Sequence, residues 1–188
     1  MNFSTLFRLE ENLHLDKKTL VNLRWIAIVG QLLAINFVYF FLKLDLPIVG
    51  THIIILIGFI TNIVLQFKIR TNQLRDLNST LFLIYDLLQL GTLLYLTGGI
   101  YNPFSLLIII PTIVSSTFLS MGTTIILGSL TIGLLFFLKE NYISLPGFDL
   151  YGFNFPEYYL YGVLVSIIIG LVFLSYFGIK FSGETKKR

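Results

Sequence analysis

Cysteine is absent from the 188 residues, which excludes disulfides, thiolate metal sites and thiol-based redox sensing within the chain. Any redox sensitivity must therefore come from a bound small molecule. Charge is scarce as well: 12% of residues are charged, where a soluble domain of ordinary composition carries roughly 25%. Histidine occurs twice, and neither His14 nor His52 stands in the His-Glu box of a kinase phosphoacceptor. No ATP-binding glycine motif is present, so no residue reads as catalytic and no cluster reads as a metal site. No cleavable leader is expected either, because the first apolar run begins only at Trp25 and no small-residue cleavage pattern follows it.

What the chain has instead is apolar surface. Hydrophobic residues make up 55% and the mean hydropathy is +0.84, which leaves too few polar groups to cover a soluble fold. Lipid is the expected solvent. The net charge of +3 does not point to nucleic acid, because the basic residues cluster in the short connections between apolar runs.

A bilayer core takes about 20 apolar residues of helix. Residues 25–42, 46–67 and 158–179 contain no charge, and each supplies one span. The middle run, 77–138, holds a single charge, Asp86, and two breaks: Gly98-Gly99 with Asn102-Pro103, and the weaker Ser120-Met121-Gly122. Basic residues concentrate on the cytoplasmic side of membrane proteins. With three spans in the middle run, eleven of the thirteen Lys and Arg fall on one side, leaving only Lys43 and Lys139 opposite. Merging spans four and five would require a helix of about 54 Å. The expectation is therefore an all-α polytopic protein of six transmembrane helices, at 25–42, 48–67, 81–97, 103–119, 122–138 and 159–179, with both termini cytoplasmic. Residues 1–24 are expected to form an amphipathic cytoplasmic segment with Asp16 capping the helix that enters span one. Residues 25–180 form the membrane domain, and 181–188 begin a cytoplasmic linker. The aromatic-rich stretch 141–161 is expected to anchor at the outer headgroup interface.

The reversal between spans three and four carries the most information. Gly98 and Gly99 tolerate positive φ and end a helix readily. Asn102 is a favoured N-cap, and Pro103 suits the first helical position. A tight outward-facing hairpin follows. The start of span four then presents unpaired N–H groups, while Tyr101 and Phe104 offer aromatic faces to an amphipathic ring bearing carbonyl oxygens. From these residues alone the plain reading is the better one: a well-made hairpin and nothing more.

Elsewhere in the membrane, Asp86, Gln89 and Thr97 share one helix face leading up to the turn. Asp86 either exchanges a proton or couples two packing states, or it is a hydrogen-bonded packing residue. Span six carries Gly162, Ser166, Gly170 and Gly178 at small-xxx-small spacings, open to reading as a homodimer seam or as internal packing. Pro111 is expected to kink span four.

The segment Gly98-Gly99-x-x-Asn102-Pro103-Phe104 resembles the GGxxNPF heptapeptide of RegB/PrrB-type redox-responsive sensor histidine kinases. Asp86-Leu87-Leu88-Gln89 with Leu94-Tyr95-Leu96-Thr97 resembles that family's third span, and Leu23-Arg24-Trp25 with Gly30-Gln31 the beginning of its first. The resemblance covers essentially the whole chain. It implies the sensor portion of a larger kinase in the bacterial inner membrane. Ubiquinone or another membrane quinone would bind at Gly98, Gly99, Asn102, Pro103 and Phe104, with Tyr101 stacking at a variable position. It also implies a homodimer and a response regulator reached through a cytoplasmic kinase core that this chain lacks. The alternative is a small-molecule-capturing subunit of an energy-coupling transporter. Ala27 and Ala34 lack the Ala-xxx-Ala spacing usual there.

Overall fold

The computed structural model describes residues 15–69, 71–74, 76–144 and 157–185, with the side chains of 157, 158 and 181–185 left aside. The sequence breaks become the helix ends. Helix α1 is Lys17–Asn36, prolonged by a π-helical turn at Phe37–Phe41; α2 is Ile48–Lys68 and α3 is Asp76–Leu96. After the reversal comes a 3₁₀ stretch, Pro103–Ile109, that passes into α4, Ile110–Phe118. Helix α5 is Met121–Glu140 and α6 is Glu157–Thr185. Five of these are long and apolar enough to cross a membrane, whereas the fourth expected span is the shorter Pro103–Phe118.

Pro111 accounts for much of that difference. It has no N–H and its ring crowds the carbonyl of Leu107, so the chain runs as a 3₁₀ helix before it and as an α-helix from Ile110 onward. The expected kink is thus a change of helix type. The weak break proved real: Leu119 is extended, and Ser120 caps α5 by accepting from the Thr123 N–H at 3.1 Å.

Two short strands, β1 (Leu15–Asp16) and β2 (Gln73–Leu74), pair antiparallel. Lys17 adds an ammonium hydrogen bond to the Ile69 carbonyl at 2.8 Å. The start of α1 and the α2–α3 connection therefore lie at the same end of the bundle, as the charge distribution required. Asp16 does occupy the N-cap position of α1, but its side chain makes no capping bond. The helix runs unbroken through Arg24 and Trp25, while residues 1–14 lie outside the described residues, as do 145–156 of the aromatic stretch.

Helix α3 is central. One core, with Leu83, Leu87, Leu94, Leu127, Leu135 and Ile108 at its middle, joins α3 to α4, α5 and α6. A smaller one, built on Ile28, Ile35, Ile55 and Leu93, joins it to α1 and α2. In lipid the hydrophobic effect does little to hold helices together, so packing and hydroxyl pairs do more. Thr112 meets Thr131 and Ser115 meets Thr124, both at 3.0 Å, fastening α4 to α5. Asp76, at the start of α3, accepts from the Ser120 and Thr123 hydroxyls at 2.9 and 3.0 Å. Each such bond contributes about 0.6 kcal/mol.

The small residues of α6 do not share one face. A step of four residues advances an α-helix by about 40° beyond a full turn, so Gly178 lies nearly opposite Gly162. Gly178 is buried against Ser116 and Thr117 of α4, whereas nothing approaches the positions a Cβ would take at Gly162 and Gly170. Ser166 is exposed. The internal-packing reading applies to Gly178 alone.

Candidate functional site

Helix α1 leans on α2 rather than on α3 or α4, and the gap this leaves is a cavity of about 450 Å³. Its walls are α1 from Leu20 to Ile35, α3 from Leu83 to Leu94 with Thr97 just beyond its end, and the Phe104 to Val114 stretch. That volume suits a small organic ligand. Ile26, Leu107 and Ile110 line it and are exposed, and the cavity between α1 and α4 is only partly enclosed.

The hairpin stands at one end of this cavity. Gly98 and Gly99 have φ of 102° and 59°, and a 3₁₀ turn at Gly99–Tyr101 completes the reversal. A Cβ on Gly99 would lie 2.5 Å from the Leu138 carbonyl oxygen, so glycine is required there twice over. Asn102 is the expected N-cap: its Oδ1 accepts from the Phe104 N–H at 2.9 Å. Its amide nitrogen donates to the Thr97 carbonyl and hydroxyl at 3.0 and 2.7 Å. Both ends of the Asn102 amide are thus spent on holding the turn.

The residues singled out from the sequence divide accordingly. Asn102 and Phe104 line the cavity, and Phe104 is 44% exposed. Gly98, Gly99, Tyr101 and Pro103 do not line it; they shape the turn behind it. The Tyr101 ring lies 5.3 Å from that of Tyr142, tilted, on the side of the α5 terminus. Asp86, Gln89 and Thr97, expected on one face, all line the cavity. His52 has a structural place, with Nδ1 2.8 Å from the Ile48 carbonyl oxygen, while His14 lies outside the described residues.

Deeper in the cavity are two polar contacts across the gap. Arg24 of α1 donates from Nε to Asp86 Oδ1 of α3 at 2.9 Å and from Nη2 to Thr61 Oγ1 of α2 at 2.8 Å. The rings of Phe82 and Tyr85 lie 5.4 and 5.3 Å from its guanidinium carbon. Arg24 is only 4% exposed, and its Nη1 has no hydrogen-bond partner among the described residues. One turn along α3, the Gln89 amide donates to Gln31 Oε1 of α1 at 3.2 Å. Gly58 of α2 makes room for this contact, since a Cβ there would lie 2.5 Å from the Gln89 amide nitrogen.

Sequence reasoning missed Arg24 and Gln31 as members of this group. Arg24 was counted with the connection charges that fix orientation. The available signal was depth: an acid held inside a span needs a partner at its own level. Asp86 lies ten residues into α3 and Arg24 seven into α1.

Among curated proteins, the chain is 37% identical over 158 residues, 84% of its length, to the sensor histidine kinase RegB of Cereibacter sphaeroides. It spans about a third of that relative's length, 34%. The family resemblance carried by the Gly-Gly…Asn-Pro-Phe segment is borne out by this match. No protein-family model matches the chain, and no solved structure does. Nothing among these findings supports the transporter alternative.

Proposed function

We propose that this chain, similar to RegB over most of its length, is the membrane sensor region of a histidine kinase of that type, and that its signal is a quinone. The ligand occupies the cavity between α1, α3 and α4. The observation that carries the reading is a coincidence of position: Asn102 and Phe104 of the motif line the same cavity as Asp86 and Gln89, the in-span polar residues of α3. A flat ring with a prenyl tail suits a site that is apolar along its walls, polar at a few points and open to lipid. The remaining motif residues support the site by fixing the turn.

The proposal includes six crossings with both termini cytoplasmic. At about 2.0 Å per 3₁₀ residue and 1.5 Å per α residue, Pro103–Phe118 extends about 27 Å, close to the roughly 30 Å of a hydrocarbon core. Ligand occupancy alters how α4 sits against α6. Lys180 and the end of α6 carry that change to a kinase core, and thence to a response regulator. A ligand shifts such an equilibrium only by its difference in affinity for the two packings.

Binding of a decyl-substituted benzoquinone to the purified chain in lipid nanodiscs tests this. Saturable binding is expected, and substituting Asn102 and Phe104 together is expected to weaken it at least tenfold. An unchanged affinity in that double variant would remove the site.

A further inference from the structure

Helix α1 turns a smooth face to the cavity. Ala27, Gly30 and Ala34 all line it, and at about 100° per residue they fall within about 60° of arc. Leu20 and Leu23 continue that face toward the start of the helix, so the α1 wall is bulky at one end and bare from Ala27 onward. The facing walls are bulky at the same depth, with Leu90, Leu93, Leu107 and Ile110. Small residues on a membrane helix ordinarily mark where another helix approaches. Here the residues that α1 buries, Ile28 and Ile35, belong to the smaller core with Ile55 of α2, and the small face is left to the cavity.

Glycine weakens a helix interior relative to alanine, so its presence at position 30 calls for a reason. At Gly58, Gly91, Gly99 and Gly178 the reason is a neighbour that an added Cβ would strike. At Gly30 no described residue comes within 4 Å of that carbon, and its φ is not positive. Gly133, Gly162 and Gly170 are equally open, but none of them lines the cavity. What the missing side chain leaves free at Gly30 is width inside the site.

We propose that Gly30, flanked by Ala27 and Ala34, is the specificity-determining residue of the site: it receives the ligand's tail and selects a methyl-branched prenyl chain over a straight one. The inference rests on the quinone reading and deepens it by assigning the seat of the tail. Gln31, next to Gly30, meets Gln89, while Asn102 is bonded to Thr97. Gln89 and Thr97 are eight residues apart, about 12 Å along α3. A ring held at Asn102 and Phe104 does not extend to Gly30, and the chain that leaves the ring runs past it. Methyl branches need room to the side. Along α1 that room recurs every three or four residues, at intervals of about 4.5–6 Å. Only apolar contact is involved; no bond forms or breaks.

Two benzoquinones that share a ring, one with a decyl and one with a geranyl chain, have equal numbers of tail carbons and differ in branching. Their binding to the unmodified chain and to Gly30→Leu in lipid nanodiscs tests the proposal. The unmodified chain is expected to bind the geranyl form more tightly. Gly30→Leu is expected to weaken that form about tenfold or more, the effect of crowding a filled apolar site, and the decyl form distinctly less. Gly30→Ala, whose added carbon meets no described residue, carries the comparison if the leucine variant fails to fold; the same order of losses is expected, each smaller. A preference of the unmodified chain for the decyl form, equal losses for both forms, or none for either overturns the inference. If the Asn102 and Phe104 double variant is weakened all the same, the quinone reading stands without it, and the small face of α1 belongs to helix packing. If the unmodified chain binds neither form, both fail.

Discussion

A guanidinium enclosed by three apolar helices is stable only while its partners remain. Removing one member of a buried ion pair leaves a bare charge and costs about 3–5 kcal/mol, whereas replacing both with apolar groups of similar size is close to neutral. Asp86→Ala is therefore expected to destabilise the purified chain by that amount in an unfolding titration. Arg24→Met combined with Asp86→Leu should recover most of the loss; a double variant as unstable as the two single losses added would show that Arg24 and Asp86 act separately. Gly58 sits behind Gln89 and outside the cavity lining. Because the atoms a Cβ would meet are the far end of a flexible amide, Gly58→Ala should fold normally yet displace Gln89. Since Gln89 lines the cavity, quinone affinity is expected to fall about threefold, with the melting temperature almost unchanged. At this scale the sequence was half legible. Asp86 announces itself because a lone acid in an apolar run is rare. Arg24 does not, because a basic residue near the start of a helix looks the same whether it meets headgroups or a carboxylate.

The hairpin between α3 and α4 was legible because its residues act locally: two glycines, an asparagine cap and a proline each impose their own backbone preference. Gly99→Ala should cost more than about 1–3 kcal/mol, the strain of a left-handed backbone, since the added carbon also meets the rigid Leu138 carbonyl. Gly133→Ala, inside α5 with nothing within 4 Å of the new carbon, should instead stabilise by about 0.5–1 kcal/mol. Thermal unfolding of the two side by side checks both signs. The 3₁₀ stretch before Pro111 was not legible, because hydropathy is blind to whether an apolar run winds three residues or 3.6 to the turn. The stripe on α6 was over-read for a related reason. A spacing of four looks like one face over a turn or two, yet drifts across the helix over sixteen residues.

For the whole molecule, the helices were legible as apolar runs and breaks, whereas the number that cross the membrane turns on the short Pro103–Phe118 helix. Since these 188 residues contain no cysteine, single cysteines placed in them report sidedness without background. Glu140, with a side chain 67% exposed, decides the matter. With six crossings Glu140→Cys reacts with a membrane-impermeant maleimide on intact cells, and Gln73→Cys only after permeabilisation. If Pro103–Phe118 does not cross, Glu140→Cys will instead be shielded until the membrane is opened. The cavity, in contrast, could not be read at any level of the sequence. It arises because α1 rests on α2, and which neighbour a helix chooses is set by packing across the whole bundle.

Where Gly178 meets Ser116, backbone touches side chain with no intervening carbon to bend. Most helix contacts contain rotatable padding that absorbs small movements. This one has almost none, and Ser116 is itself tied to the Ile113 carbonyl at 2.7 Å. A displacement of α4 by a fraction of an ångström has nowhere to dissipate at that point. It must tilt or turn the last stretch of α6, so the joint works as a stiff linkage between the wall of the cavity and the end of the chain.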